Sequence, residues 1–139
     1  MFSKLLLATD GSDHSHRAAD KAIELAKLTG HSCIEIVYVV DVNKSKSDVL
    51  QYGDSSSVLK IREKMLSVFR DKFKKVGIFS KITILHGLPA ETMIQYANEN
   101  SFDCFILGSR GRSKVQTMIL GKVSHKVMKH VNIPILLVK

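Results

Sequence analysis

The chain has 139 residues, 45% of them hydrophobic, with 21 Lys and Arg against 13 Asp and Glu, a formal net charge of +8 and two cysteines. This length suits one domain over 1–139 with a sizeable core. No apolar run approaches the ~20 residues needed to span a membrane, so a folded cytoplasmic protein is expected.

The N-terminal MFSKLLLATDG turns acidic too early for a signal peptide and is better used as a strand. The cations are spread over every predicted helix, with no arginine-rich block and few aromatics. That distribution argues against nucleic acid and suits surface solvation and small anionic ligands. Cys33 and Cys104 fall in apolar strand-like segments, where each reads as a small buried hydrophobe.

KLLLAT at 4–9 is a continuous apolar run ending at Asp10-Gly11-Ser12, the pattern of a buried parallel strand followed by a helix cap. Ser12 or Asp13 caps the next helix, whose core stripe is Ala18, Ala19, Ala22, Ile23 and Ala26 and whose stop is Gly30. SCIEIVYVV at 32–40 is the second strand, again followed by an aspartate, Asp41. From Asp41 to Ser57 the sequence is polar and serine-rich, read either as a lid over the strand ends or as a surface connection.

A helix is predicted over 58–76, with Leu59, Met65, Leu66, Phe69, Phe73 and Val76 on its buried side and Gly77 as its stop. Ile78–Leu85 is the third strand. Pro89 then opens a helix with Ala90, Met93, Ile94 and Ala97 inward. Residues 103–107 are the fourth strand. A final helix is predicted over Met118–His130, with Met118, Ile119, Val123, Val127 and Met128 or Val131 inward, and Pro134 opens a last strand, PILLV. Strands alternating with helices, each strand nearly all apolar, imply an α/β domain with a parallel sheet covered on both faces. Ligands of such sheets bind beyond the carboxyl ends of the strands, where Asp10, Val39–Asp41, Gly87 and Gly108 all fall.

The stretch with the most chemistry in it is 103–124, DCFILGSRGRSKVQTMILGKVS: a buried strand, a loop with Gly108 and Gly111, and Gly121 where a helix begins. Backbone N–H groups and a helix N-terminus can converge there on an anion such as a nucleotide phosphate. Ser109 and Ser124 offer hydroxyls, and Arg110, Arg112, Lys114 and Lys122 offer charge. Asp10 suits ribose hydroxyls; its competing role is to brace the loop or cap the first helix.

Enzyme signatures are missing. Gly121-Lys122 is followed by Val123 and lacks the earlier glycine of a P-loop, the first strand carries no GxGxxG, and no GxSxG surrounds Ser109. The histidines at 14, 16, 125 and 130 form no zinc spacing, so no protein metal site is expected. Magnesium would arrive only with nucleotide phosphates. No general base stands out, so the chain reads as a binder, with slow ATP hydrolysis as the most activity expected.

In LLLATDGSDHSHRAADKAIELA, IVYVVD, HGLPAETMIQYA and GSRGRSKVQTMILGKVSHKVMKHVNIPILLV, the chain resembles the universal stress protein family over essentially its whole length. The most specific mark is Gly108, two residues, Gly111, nine residues, Gly121. The resemblance implies an open five-stranded parallel sheet in the order 3-2-1-4-5, of the adenine nucleotide alpha hydrolase-like and Rossmann-like kind. It also implies dimerisation through the C-terminal edge strand. In the nucleotide-binding branch, the matching positions place Asp10 on ribose, Val39 on adenine, and Gly108, Gly111 and Gly121 around the phosphates; Ser109, Arg110, Lys122, Val123 and Ser124, beside those glycines, complete the candidate nucleotide-binding set.

Lys122 stands where the family pattern has Ser or Thr, and its ammonium either contacts phosphate or fills the crevice. ATP, alone or with Mg2+, is the implied cofactor, in a small signalling or adaptor module of stress physiology. The alternative is a nucleotide-free homodimer that engages protein partners.

Overall fold

A computed structural model of the chain describes residues 2–30, 32–43, 55–110 and 121–139. In order these residues form β1 (Lys4–Ala8), α1 (Asp13–Thr29), β2 (Cys33–Asp41), α2 (Ser55–Lys75), β3 (Ser80–Gly87), α3 (Pro89–Glu99), β4 (Cys104–Gly108), α4 (Lys122–His130) and β5 (Ile135–Val138). The strands make one sheet in the order β3-β2-β1-β4-β5, every neighbouring pair parallel. This is the Rossmann-like architecture expected.

Leu5, Leu6 and Leu7 of the central strand are fully buried because helices cover both of its faces. Leu5, Leu7, Ile34, Ile36 and Ile106 meet Ala18, Ala19, Ala22 and Ala26 of α1 and Phe69 and Phe73 of α2. Leu6, Val37, Phe105 and Leu107 meet Met93 and Ala97 of α3 and Val127 of α4. Four alanines let α1 lie close against the sheet. Gly30 closes that helix in the left-handed conformation, its N–H donating to Ala26 O. Pro89 opens α3 in its first turn, where a missing N–H costs nothing.

Two polar devices hold this frame. The Asp103 carboxylate Oδ2 accepts from Lys4 N at 2.9 Å, Ser3 N at 3.0 Å and Ser3 Oγ at 3.1 Å, so the starts of β1 and β4 are tied together. The Lys4 and Ser3 bonds hold this carboxyl below its ordinary range. Glu35, buried on the α3 face, accepts from Thr83 Oγ1 at 2.9 Å and from the Tyr96 hydroxyl. Burial, with the Glu35 carboxylate beside it, pushes the Tyr96 phenol up.

Several expectations need correction. The second helix begins at Ser55, three residues before the predicted 58, and ends at Lys75. Leu59 and Val76 are exposed on it instead of buried. In parallel α/β units the helix runs back against the strands, and a Cβ added at Gly11, just past β1, would meet Met65 Sδ at 2.4 Å. The turns of α2 before Met65 therefore project beyond the strand ends, where no sheet lies under Leu59. Val76 sits past the last helical residue.

The third strand runs two residues later than predicted. The last helix starts at Lys122 and not Met118, because Gly121 is extended. Its inward residue at the far end is Val131, with Met128 exposed. Residues 118–120 and most of the serine-rich segment read as a lid lie outside the described residues.

Candidate functional site

The strand order reverses between β1 and β4, which are hydrogen-bonded neighbours whose following helices go to opposite faces of the sheet. A crevice opens at such a switch, beyond the carboxyl ends of the two strands. Two loops line it.

The first loop, 9–12, is braced by its own side chains. Thr9 N donates to Val37 O at 3.0 Å and extends the sheet by one residue. Thr9 Oγ1 accepts from Gly11 N at 3.2 Å and donates to Ser15 Oγ at 3.1 Å. Asp10 is half-buried, and its Oδ1 accepts from Ser12 N at 2.9 Å, closing an Asx-type turn. Asp10 therefore braces the loop at the end of β1. Ser12 is the N-cap of α1, accepting from Ser15 N, and Asp13 lies in the first turn, where a carboxylate suits the helix dipole.

The second loop leaves β4 and returns at α4. Its two ends are joined, since Gly121 N donates to Ser109 O at 2.8 Å while Ser109 N donates to Val138 O at 2.7 Å. The glycines at 108 and 121, far apart in sequence, are thus brought together at the end of β4. Gly111 lies outside the described residues. Gly121 is the N-cap of α4 in an extended conformation, and as a glycine it offers no side chain to cap the helix. Its first-turn amides are the orphan donors of a helix N-terminus.

Gly108 is gripped from both sides. Ser124 Oγ donates to Gly108 O at 2.7 Å from α4. On the α1 side, a Cβ at Gly108 would stand 2.7 Å from His14 Cβ and 2.9 Å from the His14 carbonyl carbon. Only glycine lets α1 dock this close to β4.

Ser109 is buried, and Ser124 gives its hydroxyl proton to Gly108 O within the fold. Lys122 is exposed at the start of α4. Val123 packs half-buried among the α4-side core residues. Val39 is half-buried in β2, opposite Leu85 and two residues before the strand end. Arg110 follows Ser109 and is half-buried. Among the described residues, no group of three or more His, Cys, Asp or Glu is arranged to hold a metal ion.

One residue at this site escaped the reading of the sequence. His14 had been weighed only as a metal ligand, yet it is the contact between α1 and the end of β4. Its place four residues after Asp10, in the first helical turn, is the signal that was available.

A protein-family profile described as the universal stress protein family matches residues 1–139. Universal stress protein YxiE of Bacillus subtilis is 32% identical, with the alignment covering 100% of both chains. Among solved structures, that of MJ0577, a protein of Methanocaldococcus jannaschii, superposes with a TM-score of 0.87 at 25% identity, covering 100% of this chain and 96% of that one. A universal stress protein solved in complex with cAMP shares the fold at a TM-score of 0.73 and 22% identity, covering 99% of this chain and 97% of that one.

Proposed function

Since the chain belongs to the universal stress protein family, we propose that it binds ATP in the crevice between β1 and β4 and serves stress physiology as a small nucleotide-dependent module. It acts by binding and not by turnover. The observation that carries this reading is the bond from Gly121 N to Ser109 O, which sets the uncapped N-terminus of α4 at the end of β4. The partial positive charge and first-turn N–H groups of a helix N-terminus then lie at the crevice, which suits a phosphate chain.

Asp10, across from it, supplies acceptors for a ribose, and Val39 supplies an apolar surface for a base. Arg110 and the exposed Lys122 add charge for the phosphates. Mg2+ would come with the nucleotide, coordinated mainly by phosphate and water. The binding of cAMP by a relative of the same fold supports an adenine nucleotide as the ligand class.

Isothermal titration with ATP and Mg2+ tests the reading. Saturable binding in the micromolar range is expected, weakened about tenfold in Asp10→Ala, which removes one hydrogen-bonding carboxylate worth about 1.5 kcal/mol. No heat and no saturation at millimolar ATP would sink it.

We further propose a homodimer through β5. This strand bonds to β4 on one side and is last in the order, and its Leu136 is exposed. A free apolar edge invites pairing. Sedimentation at micromolar protein should give twice the 15.5 kDa chain mass; particles of the single chain alone would overturn the dimer.

A further inference from the structure

The contact between His14 and Gly108 has a role beyond packing. His14 and Arg17 are three residues apart on α1 and so lie on one face of that helix. His14 backs onto the last residue of β4, while Arg17 reaches across to the residue after β5, its Nε donating to Lys139 O at 3.0 Å. This face of α1 therefore overlooks the strand ends from which Ser109 and Arg110 depart. Arg17, three residues on along this face, and Arg110, two residues beyond Gly108, are permanent cations in the same corner as an imidazole that can become a third.

We propose that His14 is a charge-sensing residue of the nucleotide site: an anion seated against Arg17 and Arg110 draws a proton onto its ring, so that nucleotide binding strengthens as the pH falls. The inference rests on the ATP-binding reading given above.

The chemistry of the ring supports it. His14 Nδ1 is buried and has no hydrogen-bond partner among the described residues. A bare acceptor is cheaper to bury than an unpaired N–H, so the neutral ring keeps its proton on Nε2 and resists a second. Burial, then Arg17, then Arg110 hold His14 below its ordinary value of 6.5, against the opposing pull of Asp10 and Asp13. Those four charges come from the ring's own helix, from the loop after β1 and from the segment after β4. A phosphate chain adds negative charge beside the two arginines and cancels the part of the depression that they cause.

The sign follows from linkage. If the bound complex has the higher His14 pKa, the complex takes up a proton that the free protein lacks, and affinity rises as pH falls through that value. It levels off below the free-protein value. Each unit by which the anion raises the pKa strengthens binding about tenfold at the acidic end.

The experiment is isothermal titration at several pH values and in two buffers of different ionisation enthalpy. The probe is Mg2+-saturated ATP, whose terminal phosphate stays ionised near neutrality. The wild-type protein is expected to take up a fraction of a proton on binding, and His14→Gln to lose that uptake and flatten the pH profile. NMR titration of the His14 ring in the wild-type protein, with and without ATP, reads the same quantity without any substitution; an upward move on binding is expected. ATP binding with equal proton uptake in both proteins, or a His14 titration unmoved by ATP, overturns the coupling alone. A wild-type protein that does not bind ATP overturns the nucleotide reading and the coupling with it.

Discussion

Phe69→Ala should lower stability by about 3–5 kcal/mol, the usual cost of emptying a phenylalanine site in a core. The ring is fully buried on α2, between the sheet and α1, and belongs to the same cluster as Leu5, Ile36 and Phe73. It also stacks on His16 of α1, with centroids 4.3 Å apart and planes within 16°, so its loss unseats part of the α1–α2 contact. Lys72 ties the same two helices with an ion pair to Asp20 at 2.8 Å, but that pair is partly exposed and compensates little. Urea unfolding followed by circular dichroism reads the change as a lower midpoint. Phe79→Ala is the control, since that ring is 72% exposed and its removal should shift stability by no more than about 0.5 kcal/mol. Equal midpoints for the two variants would contradict the packing described here.

Gly108→Ala is the second large effect, about 2–3 kcal/mol, and its cause is overpacking rather than a cavity. The added carbon would sit 2.7 Å from His14 Cβ, 2.9 Å from the His14 carbonyl carbon and 3.0 Å from its oxygen. Two of those three atoms are backbone, so relief requires α1 to back away from β4 and take Ser12 and Asp10 with it. ATP affinity should fall along with stability.

Gly30→Ala separates this steric cost from the general cost of replacing a glycine. Gly30 has φ +78° and no atom within 4 Å of an added carbon. Its alanine variant should lose only ~1 kcal/mol, the left-handed strain, and should bind ATP normally. Thermal melts and ATP titrations of the two variants make the comparison. A Gly108→Ala protein as stable as the wild type would show that α1 is not pinned at the end of β4.

What could be read in advance follows from which interactions are local. Strands buried on both faces must be apolar runs, so β1, β2 and β4 announce themselves. Gly30 and Pro89 mark helix ends through their own backbone chemistry. Leu59 shows the limit of periodicity. It lies seven residues before Leu66 and shares its helical face, yet burial depends on what lies opposite, and α2 overhangs the sheet there. Glu35 shows another limit. Its carboxylate is hidden in an apolar run, and its partners Thr83 and Tyr96 lie 48 and 61 residues away.

The candidate site divides in the same way. The glycine spacing marks a loop after β4 and a helix start at Gly121, while the bond from Gly121 N to Ser109 O belongs to the folded chain. The place of His14 depends on how closely α1 docks against β4. Likewise, the sequence shows that Ser124 offers a hydroxyl, and only the folded arrangement turns it toward Gly108.

The clasp at Asp103 has a consequence for how the protein is made. Its carboxylate holds Lys4 across 99 positions of chain, and β1 has β4 as its second neighbour in the sheet. The ribosome therefore releases the central strand long before the strand that completes it. At synthesis rates of about 5–20 residues per second, that interval lasts roughly 5–20 s. During it, β1, α1, β2, α2 and β3 can form only a three-stranded sheet in which β1 is an open edge bearing Leu5, Leu6 and Leu7. Such an edge is a template for pairing with other chains, so the nascent protein depends most on protection just before residue 104 emerges.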